Sequence, residues 1–271
     1  MDELRMYKSY LIEEEKSELT IEKYMRDVRA FLQWTEGRAL TKALVKAYKD
    51  DLKGSYAVAS INSMLASVNS YLSFIGRNDC RVKNIKQQRQ MFCTEAKELT
   101  RQEYERLLQA SQNKPQICLL MQTICATGIR VSEHRFITVE AARTGMAEVS
   151  CKGKTRTVLL TKKLCRSLLK YAKGKGIRSG SIFVTRQGNP LNRSSIWAEM
   201  KKLCKDANVP AEKVFPHNLR HLFARTYYAL AKDIVRLADI LGHANINTTR
   251  IYTMESGIAH RQQIEKMRLV I

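Results

Sequence analysis

The stretch LTRQEYERLL, residues 99–108, decides how this chain is divided. Thr100 and Glu103 stand at the positions of a capping box, in which each side chain accepts a hydrogen bond from the backbone N–H of the other residue. Leu99 and Tyr104 occupy the matching positions of a hydrophobic staple. The combination is a specific signature of a helix start. It predicts that a helix, and with it a second domain, begins here.

The residues before this helix start have a different character. The segment RNDCRVKNIKQQRQMFCTEAK, residues 77–97, is polar and basic and lacks a sustained apolar face. Such a composition is typical of an interdomain linker. We therefore place the domain boundary near residue 95 and expect two domains, 1–95 and 96–271.

The first domain is predicted to be a small helical bundle, because its apolar residues recur at a spacing close to 3.6. Threonine is a favoured helix cap and glycine commonly follows a helix end. These signals predict three helices, the first capped by Thr20 and ending at Gly37, the second running from Thr41 to Gly54, and the third covering about 56–75.

The second domain is predicted to be mostly helical with a small antiparallel sheet. An apolar helix is expected to end around Gly128. Two short strands, 147–151 and 156–160, are separated by a basic turn. Further helices are expected at 162–173, 194–207, 217–231 and 233–241, with a short helix leading to Tyr252. The predicted fold class is therefore mainly α, with a helical first domain and a mixed second domain.

The charge of the chain indicates a polyanionic partner. Lys and Arg number 47 against 26 Asp and Glu, a formal net charge of +21. Residues 1–95 hold 16 basic and 13 acidic residues, whereas residues 96–271 hold 31 and 13. The second domain is thus the better candidate for binding phosphates. A solvated basic surface, as in many ribosome-associated proteins, would have the same charge, so charge alone leaves that interpretation open.

The cysteines and the N-terminus indicate a reducing, aqueous environment. Seven cysteines form no CxxC pair, which favours reduced and mostly buried thiols. The start of the sequence is too acidic for a signal peptide, and no apolar run is long enough to span a membrane. A soluble, cytoplasmic protein is expected.

The sequence predicts neither a metal site nor a cofactor. His217 and His221 are four residues apart and could share one helix face as metal ligands, but no HExxH pattern or neighbouring cysteine pair accompanies them. Walker A and dinucleotide-binding glycine patterns are also missing from the sequence.

Several polar residues interrupt apolar helices. Arg130 directly follows the end of the apolar helix, and the segment from His217 to Arg220 opens another helix after Pro216. Buried polar groups need partners. Each has a structural interpretation, as a cation at a helix C-terminus or as a helix cap. Taken singly, these structural interpretations have at least as much support as functional ones.

Taken together, four blocks resemble the tyrosine recombinases, the family of lambda-type integrases, Cre and Xer proteins. The blocks are ATGIRVSE at 126–133, CKGKTRTVLL at 151–160, HNLRHLFA at 217–224 and LGHANINTTRIYT at 241–253. The intervals discriminate more than the residues do. His217 and Arg220 are three positions apart, Arg220 and His243 are 23 apart, and His243 and Tyr252 are nine apart, which is similar to the Xer branch.

The resemblance implies an enzyme that cuts and rejoins DNA through a covalent 3'-phosphotyrosine link. It implies a core-type DNA-binding domain followed by a catalytic domain, the nucleophile being Tyr252. The groups that it places around the scissile phosphate are Arg130, Lys152, His217, Arg220 and His243. Glu133 is in a supporting position, where it orients this basic cluster. Because the tyrosine ester conserves the energy of the backbone bond, neither metal nor ATP is required.

The chemistry accounts for these residue types. A phosphodiester under attack becomes more negatively charged, and two arginines offer planar forks of donors to its non-bridging oxygens. Lys152 is the expected general acid for the leaving 5' oxygen, in preference to Lys154, because it aligns with the lysine before glycine in the family's turn. His217 would accept or shuttle the tyrosine proton, and His243 would donate a hydrogen bond to a phosphate oxygen.

Two features depart from the family pattern. His134 and Arg135 follow Glu133 where an apolar run is usual, and the hairpin turn is one residue shorter than in Xer proteins. These departures leave the subfamily open. His221, Arg225 and Arg250 are expected to be packing residues or phosphate contacts.

The resemblance also implies partners. Double-stranded DNA is the expected ligand, the functional unit is a tetramer on DNA, and accessory DNA-bending proteins have a place in such systems. The helical pattern begins almost at Met1, so the extra arm-binding domain of lambda-type integrases is not expected. The tail after Tyr252 has an imperfect apolar face, which docks either on a neighbouring subunit or on its own domain.

Two alternatives come from other classes. ADILGHANINTTRIYT, residues 238–253, can be read as a helix-turn-helix with Gly242 in the turn, which would make the chain a non-catalytic DNA-binding protein. Covalent trapping of DNA would discriminate. A type IB topoisomerase or a hairpin telomere resolvase would share the tyrosine chemistry, but chain length and the Xer-like intervals argue against both. Sequence-independent relaxation of supercoiled plasmids would favour the topoisomerase.

Overall fold

A computed structural model of the chain describes residues 2–86, 97–151, 154–252 and 265–267. The chain forms two compact units, Met1–Arg89 and Gln90–Ile271. We call them the N-terminal unit and the C-terminal unit. The division into a DNA-binding domain at 1–95 and a catalytic domain at 96–271 stays a prediction.

The N-terminal unit is helical. Its helices are α1 (Asp2–Glu13), α2 (Glu18–Thr35), α3 (Lys42–Leu52) and α4 (Val58–Phe74), followed by a short 3-10 helix (Asn78–Cys80). The predicted cap at Thr20 is wrong: the Ser17 hydroxyl accepts a hydrogen bond from the backbone N–H of Thr20, so α2 begins earlier. The cap at Thr41 is confirmed, since its hydroxyl accepts from the backbone N–H of Leu44 at 3.1 Å.

The core of the N-terminal unit lies between α2 and α4. Phe31, Leu65 and Val68 are fully buried there. A second apolar group joins α1 to the same helices through Tyr7 and Tyr71, whose ring centroids are 5.3 Å apart in an edge-on arrangement. The spacing of about 3.6 that predicted the bundle therefore corresponds to the buried faces of these helices.

The described part of the C-terminal unit is mostly helical and contains one hairpin, so the predicted mainly α fold is confirmed. Its regular elements are α5 (Arg101–Ala110), α6 (Pro115–Thr127), α7 (Val139–Thr144), β1 (Met146–Cys151), β2 (Lys154–Leu159), α8 (Lys162–Gly174), α9 (Arg193–Lys201), α10 (Pro216–Ala231) and α11 (Ile234–Leu241). 3-10 helices lie at Val131–Phe136, Ala211–Lys213, Ile246–Thr248 and Arg250–Tyr252. The sequence analysis missed α7 and the 3-10 helix at Val131–Phe136.

The capping box predicted for Thr100 and Glu103 is present at the start of α5, with both of its hydrogen bonds. The backbone N–H of Thr100 donates to Glu103 Oε2 at 2.8 Å, and the backbone N–H of Glu103 donates to Thr100 Oγ1 at 3.2 Å. Glu103 also accepts from Lys213 Nζ at 2.8 Å, which ties the start of α5 to the segment before α10.

The hairpin is antiparallel and is tighter than predicted. Its register pairs Met146 with Leu159 and continues to Cys151 paired with Lys154. The turn was predicted to cover residues 152–155, but Lys154 already pairs across the sheet. Lys152 and Gly153 lie outside the described residues. Ala147, Val149 and Val158 are buried, so one face of the hairpin packs on the core.

Helices α6 and α10 pack against each other in the main core. Leu120, Ile124 and Leu219 are fully buried in it. Helix α6 ends at Gly128, as predicted, in a left-handed conformation with φ of +66°. A Cβ atom at this position would lie 2.4 Å from Phe223 Cδ1, so glycine allows α10 to approach closely. This approach brings the end of α6 beside the first turns of α10.

Candidate active site

The predicted site residues that the structure describes come together in the C-terminal unit. Arg130 and Glu133 lie after the end of α6, His217 and Arg220 in the first turns of α10, His243 after the end of α11, and Tyr252 in the last 3-10 helix. The termini of three helices and the last described turn thus meet at one place. Lys152 lies outside the described residues, so the structure does not locate it.

Arg220 forms the buried centre of the site. Its side chain is among the largest fully buried ones of the chain, with 2% of the residue exposed. Nη1 donates to the carbonyl oxygen of Gly128 at 2.5 Å, and Nη2 donates to that of Leu241 at 2.8 Å. Burial, followed by repulsion from Arg130, lowers its pKa to about 10. The helix ends therefore hold a desolvated guanidinium in a fixed orientation.

His243 is held between Arg220 and Thr249. Arg220 Nη2 lies 2.9 Å from His243 Nε2, and an arginine can only donate, so Nε2 is the accepting nitrogen. Nδ1 then carries the proton and donates to Thr249 Oγ1 at 2.9 Å. Burial, followed by repulsion from Arg220 and Arg130, lowers the pKa of His243 to about 4. The imidazole is neutral at physiological pH.

Arg130 is fixed by Glu133. The guanidinium Nη1 donates to Glu133 Oε1 at 2.9 Å, and the Arg130 backbone N–H donates to Oε2 at 2.7 Å. Arg130 Nη2 also reaches the carbonyl oxygen of Gly242 at 3.3 Å. The side chain of Glu133 is 1% exposed whereas that of Arg130 is 36% exposed. Arg130 therefore offers an accessible cation whose direction is set by a buried carboxylate.

Tyr252 lies against two histidine rings. Its ring stacks on His243 with centroids 6.0 Å apart and planes inclined by 15°, and it meets His221 edge-on at 4.8 Å. The nearby Tyr252 also offsets part of the lowering of the Arg220 pKa. Only 3% of Tyr252 is exposed. The tyrosine thus lies within the basic cluster.

His217 and His221 form a pair of edge-on imidazoles on α10. Their ring centroids are 4.4 Å apart. Burial lowers the pKa of His217, and repulsion from Arg220 and Arg130 lowers it further. Burial, together with the smaller charge effects of His217 and Arg220, lowers the pKa of His221 to about 4. The nearby cations thus oppose protonation of both rings.

Three residues of the site were missed or given another role by the sequence analysis: Arg156, Thr249 and His221. Arg156 lies within the CKGKTRTVLL block and Thr249 within the last block, yet neither was singled out. His221 was interpreted as packing or a phosphate contact, although its position one turn beyond His217 on α10 is a signal that both face the same way. Of the other basic residues considered, Arg225 pairs with Glu98 and donates to the carbonyl oxygen of Leu99, which is a structural role.

His134, which departs from the apolar pattern of the family, is accommodated by the core. It is 4% exposed, and its ring lies 6.3 Å from that of Phe183. Its Nδ1 contacts the carbonyl oxygen of Val131 at 2.5 Å. Burial lowers its pKa, so it is kept as a neutral ring that replaces an apolar side chain.

The helix-turn-helix interpretation of residues 238–253 does not fit the described part of that segment. Helix α11 ends at Leu241 and Gly242 follows with φ of +65°, as a turn would require. The chain then continues, as far as residue 252, in two 3-10 helices of three residues each. A recognition helix needs several regular turns.

The described residues hold no group of His, Cys, Asp and Glu side chains with the arrangement of a metal site. None of their helices is long and apolar enough to cross a membrane.

Comparison with known proteins gives a consistent result. The profile of the Phage integrase family matches residues 97–257, and that of the phage integrase N-terminal SAM-like domain matches residues 4–78. The chain is 29% identical to tyrosine recombinase XerD of Halalkalibacterium halodurans, over 89% of each chain. It is 29% identical to tyrosine recombinase XerA of Pyrococcus horikoshii, over 99% of this chain and 94% of the relative.

Solved structures show the same fold. A lambda integrase tetramer bound to a Holliday junction matches with a TM-score of 0.71 and 18% identity, over 93% of this chain and 76% of the integrase chain. The crystal structure of a XerA recombinase matches over 100% of this chain and 99% of its own, with a TM-score of 0.55 and 25% identity.

Proposed function

The chain belongs to the phage integrase family, the tyrosine recombinases that cleave and rejoin DNA, and we propose that it does so through a covalent link between a DNA 3' phosphate and Tyr252. The family predicted from the four sequence blocks is thereby confirmed. The roles of the individual residues remain the proposal.

The main support for this proposal is the set of residues that surround Tyr252. Its ring contacts His243 and His221, and the tyrosine is near enough to Arg220 to influence the pKa of that guanidinium. A tyrosine packed for stability alone would not require two arginines and three histidines with lowered pKa values around it. A cluster of desolvated cations is suited to an anion that is attacked by an oxygen.

The two arginines would bind the non-bridging oxygens of the scissile phosphate. Arg220 is buried and fixed by backbone carbonyls, and Arg130 is half-exposed and fixed by Glu133. Groups held in place before the reaction stabilise developing charge without having to reorganise. We assign Arg220 and Arg130 to the negative charge that grows as the tyrosine oxygen attacks phosphorus.

A bound phosphate would raise the pKa values of the histidines, which the nearby arginines lower. Repulsion from Arg220 and Arg130 contributes to the lowered pKa of His243. A phosphate bound by the same arginines offsets that repulsion and raises the pKa, so His243 becomes able to donate to a phosphate oxygen. The same change lets His217 accept the proton that leaves the Tyr252 hydroxyl.

The cleavage step then balances as follows. The bond between the Tyr252 oxygen and phosphorus forms, and the bond between phosphorus and the 5' oxygen breaks. The tyrosine proton passes to His217, and the leaving 5' oxygen takes a proton from Lys152. Attack of a free 5' hydroxyl from another strand reverses the step. Neither an oxidant nor a nucleotide is consumed.

Double-stranded DNA is the proposed substrate and a tetramer the proposed assembly. The basic excess of residues 96–271 supports the first. The fold shared with a lambda integrase solved as a tetramer on a Holliday junction supports the second. Integration, excision and resolution are all compatible with one chemistry, and accessory DNA-bending proteins would select among them.

Covalent trapping tests the proposal without knowledge of the target site. A library of nicked duplexes with a randomised core is incubated with the full chain, and adducts that survive denaturation are isolated and sequenced. A nick lets the short cleaved fragment diffuse away, which prevents rejoining. We expect a metal-independent adduct at a 3' phosphate, formed by the native chain and lost in Tyr252→Phe, which removes only the nucleophilic oxygen.

The competing functions predict other results. If the native chain binds the library but forms no adduct, it is a non-catalytic DNA-binding protein. Equal adduct formation by Tyr252→Phe would show that another residue is the nucleophile. Relaxation of supercoiled plasmids irrespective of sequence would indicate a topoisomerase.

A further inference from the structure

Arg156 reaches the site from the hairpin and contacts the residue that holds Arg130. It lies on β2, and its Nη2 donates to Glu133 Oε2 at 2.7 Å. The side chain of Arg156 is 14% exposed and that of Glu133 is 1% exposed. This contact joins residues 23 positions apart and links the hairpin to the end of α6.

Glu133 therefore lies between two guanidinium groups. Oε1 accepts from Arg130, and Oε2 accepts from both Arg156 and the backbone N–H of Arg130. A buried carboxylate keeps its charge only when it is paired and hydrogen-bonded. Loss of Arg156 would leave Glu133 with a single cationic partner, and the carboxylate would then move toward Arg130 or toward water. Either movement changes where the Arg130 guanidinium points.

Gly242 is in contact with both arginines. Its carbonyl oxygen accepts from Arg130 Nη2 at 3.3 Å. A Cβ atom on Gly242 would lie 2.6 Å from both Cδ and Nε of Arg156. A side chain at this position would displace the arginine, because real Cβ contacts are not that short. The glycine that precedes His243 thus leaves room for Arg156.

We propose that Arg156 is a positioning residue for the cleavage reaction: it holds Glu133, and through Glu133 the Arg130 guanidinium, in the direction that a scissile phosphate requires. The inference rests on the proposed function and deepens it. Arg156 donates to the buried carboxylate that also holds Arg130, so we expect it to act on the phosphate through Arg130.

The first test uses single-turnover cleavage of a site recovered by covalent trapping. Arg156→Gln is expected to slow cleavage about 10- to 100-fold with nearly unchanged DNA affinity, as is typical when a residue that orients a reacting group is lost. Arg156→Lys should recover part of the rate, because an ammonium can still pair with Glu133. In an Arg130→Ala background, Arg156→Gln should cause no further loss, since its effect passes through Arg130.

The second test displaces Arg156 without mutating it. Gly242→Ala should reproduce the slow cleavage of Arg156→Gln. Gly145→Ala is the matched control: Gly145 has a similar φ of +79°, but the nearest atom to an added Cβ is the Leu160 carbonyl oxygen at 3.8 Å. Both alanines strain the backbone, and only the one at position 242 displaces Arg156. Gly145→Ala should therefore cleave at the native rate per folded molecule.

A third measurement does not depend on cleavage. In the native chain the Arg130 guanidinium should show restricted rotation about its Cζ–Nε bond by NMR, and Arg156→Gln should release it while far-UV circular dichroism stays native. If the native chain forms no adduct, the proposed function fails and this measurement still tests the contact.

Three results would overturn the inference while leaving the proposed function intact. The first is cleavage by Arg156→Gln at the native rate. The second is an additional loss of rate in the Arg130→Ala background, which would indicate direct contact with the phosphate. The third is that rotation of the Arg130 guanidinium stays restricted in Arg156→Gln. Failure of Arg156→Lys to recover any rate, although folded, would count against pairing with Glu133 as the cause.

Discussion

In the N-terminal unit the buried carboxylate of Asp27 is matched by its neighbours, whereas in the C-terminal unit the buried guanidinium of Arg220 has further cations around it. Asp27 is 2% exposed and accepts from Lys23 Nζ at 2.7 Å, from Ser67 Oγ at 2.9 Å and from Arg26 Nη2 at 3.1 Å. All of these partners belong to the same small bundle. The Asp27 cluster is electrostatically complete within the fold.

The positive charge of the cluster around Arg220 is not compensated in this way. Arg130 lies near enough to lower the pKa of Arg220, Arg130 and Arg156 share the single carboxylate of Glu133, and the histidines of the site have lowered pKa values. Repulsion between the buried Arg220 and its cationic neighbours costs free energy that a bound anion would recover. A buried charge that is matched by its neighbours stabilises a fold, whereas an excess of charge of one sign indicates a ligand site.

The largest effect is expected from salt. If the excess positive charge of residues 96–271 binds DNA phosphates, binding releases counterions from the DNA, and added salt opposes this release. Affinity for duplex DNA should therefore fall by about 10³-fold or more between about 50 and 200 mM salt. Titrations of one duplex at several salt concentrations give the slope. A flat dependence across this range would contradict an electrostatic role for the C-terminal unit.

A smaller but more specific effect is expected from Arg130→Ala. Loss of one preorganised cation should slow cleavage by about 10²- to 10³-fold, on the order of 3 kcal/mol in the barrier. A substrate with sulfur at the bridging 5' position should not restore the rate, since the missing charge acts on other oxygens. The same substrate should restore Lys152→Ala, because a thiolate leaves without a proton. Single-turnover rates on both substrates measure the difference, and rescue of Arg130→Ala would reverse the assigned roles.

Asp27→Asn should affect stability and leave chemistry unchanged. The charged hydrogen bonds of a buried carboxylate are lost, which should lower the free energy of unfolding by about 1–3 kcal/mol. The denaturant midpoint measures the loss. Asp50→Asn is the matched control, since its pair with Lys53 lies on the surface and should leave the midpoint unchanged. A cleavage rate that fell per folded Asp27→Asn molecule would show that the two clusters do not have separate roles.

The smallest effect concerns pH. Burial and nearby cations lower the pKa of His221 and of His243 to about 4, from an ordinary value of 6.5. The neutral form is thus favoured in the folded chain, so the stability that it contributes is present above pH 6.5 and is lost as pH falls toward 4. Unfolding near pH 5 should take up protons, measurable by calorimetry in buffers of different ionisation enthalpy. Bound DNA should reduce this uptake, and an uptake unaffected by DNA would argue against an anion site beside these histidines.

Local signals in the sequence were sufficient to predict much of the fold. The capping box of Thr100 and Glu103, the cap at Thr41 and the glycine at position 128 depend on residues within a few positions of each other. Capping, turn formation and helical periodicity are short-range effects, so they can be read from the chain. The start of α2 was misplaced because Ser17 and Thr20 are both good caps, and nothing local favours one over the other.

The chemical groups of the site and their order can be read from the sequence, whereas their electrostatic state depends on how the chain packs. The motif intervals identify Arg220, His243 and Tyr252, but Arg130 meets the Gly242 carbonyl only because the ends of α6 and α11 converge across 112 positions. Charge regulation depends on distance in space and on burial. The neutral state of His243, the edge-on contact of His221 with Tyr252 and the pairing of Arg156 with Glu133 follow from packing between segments far apart in the chain.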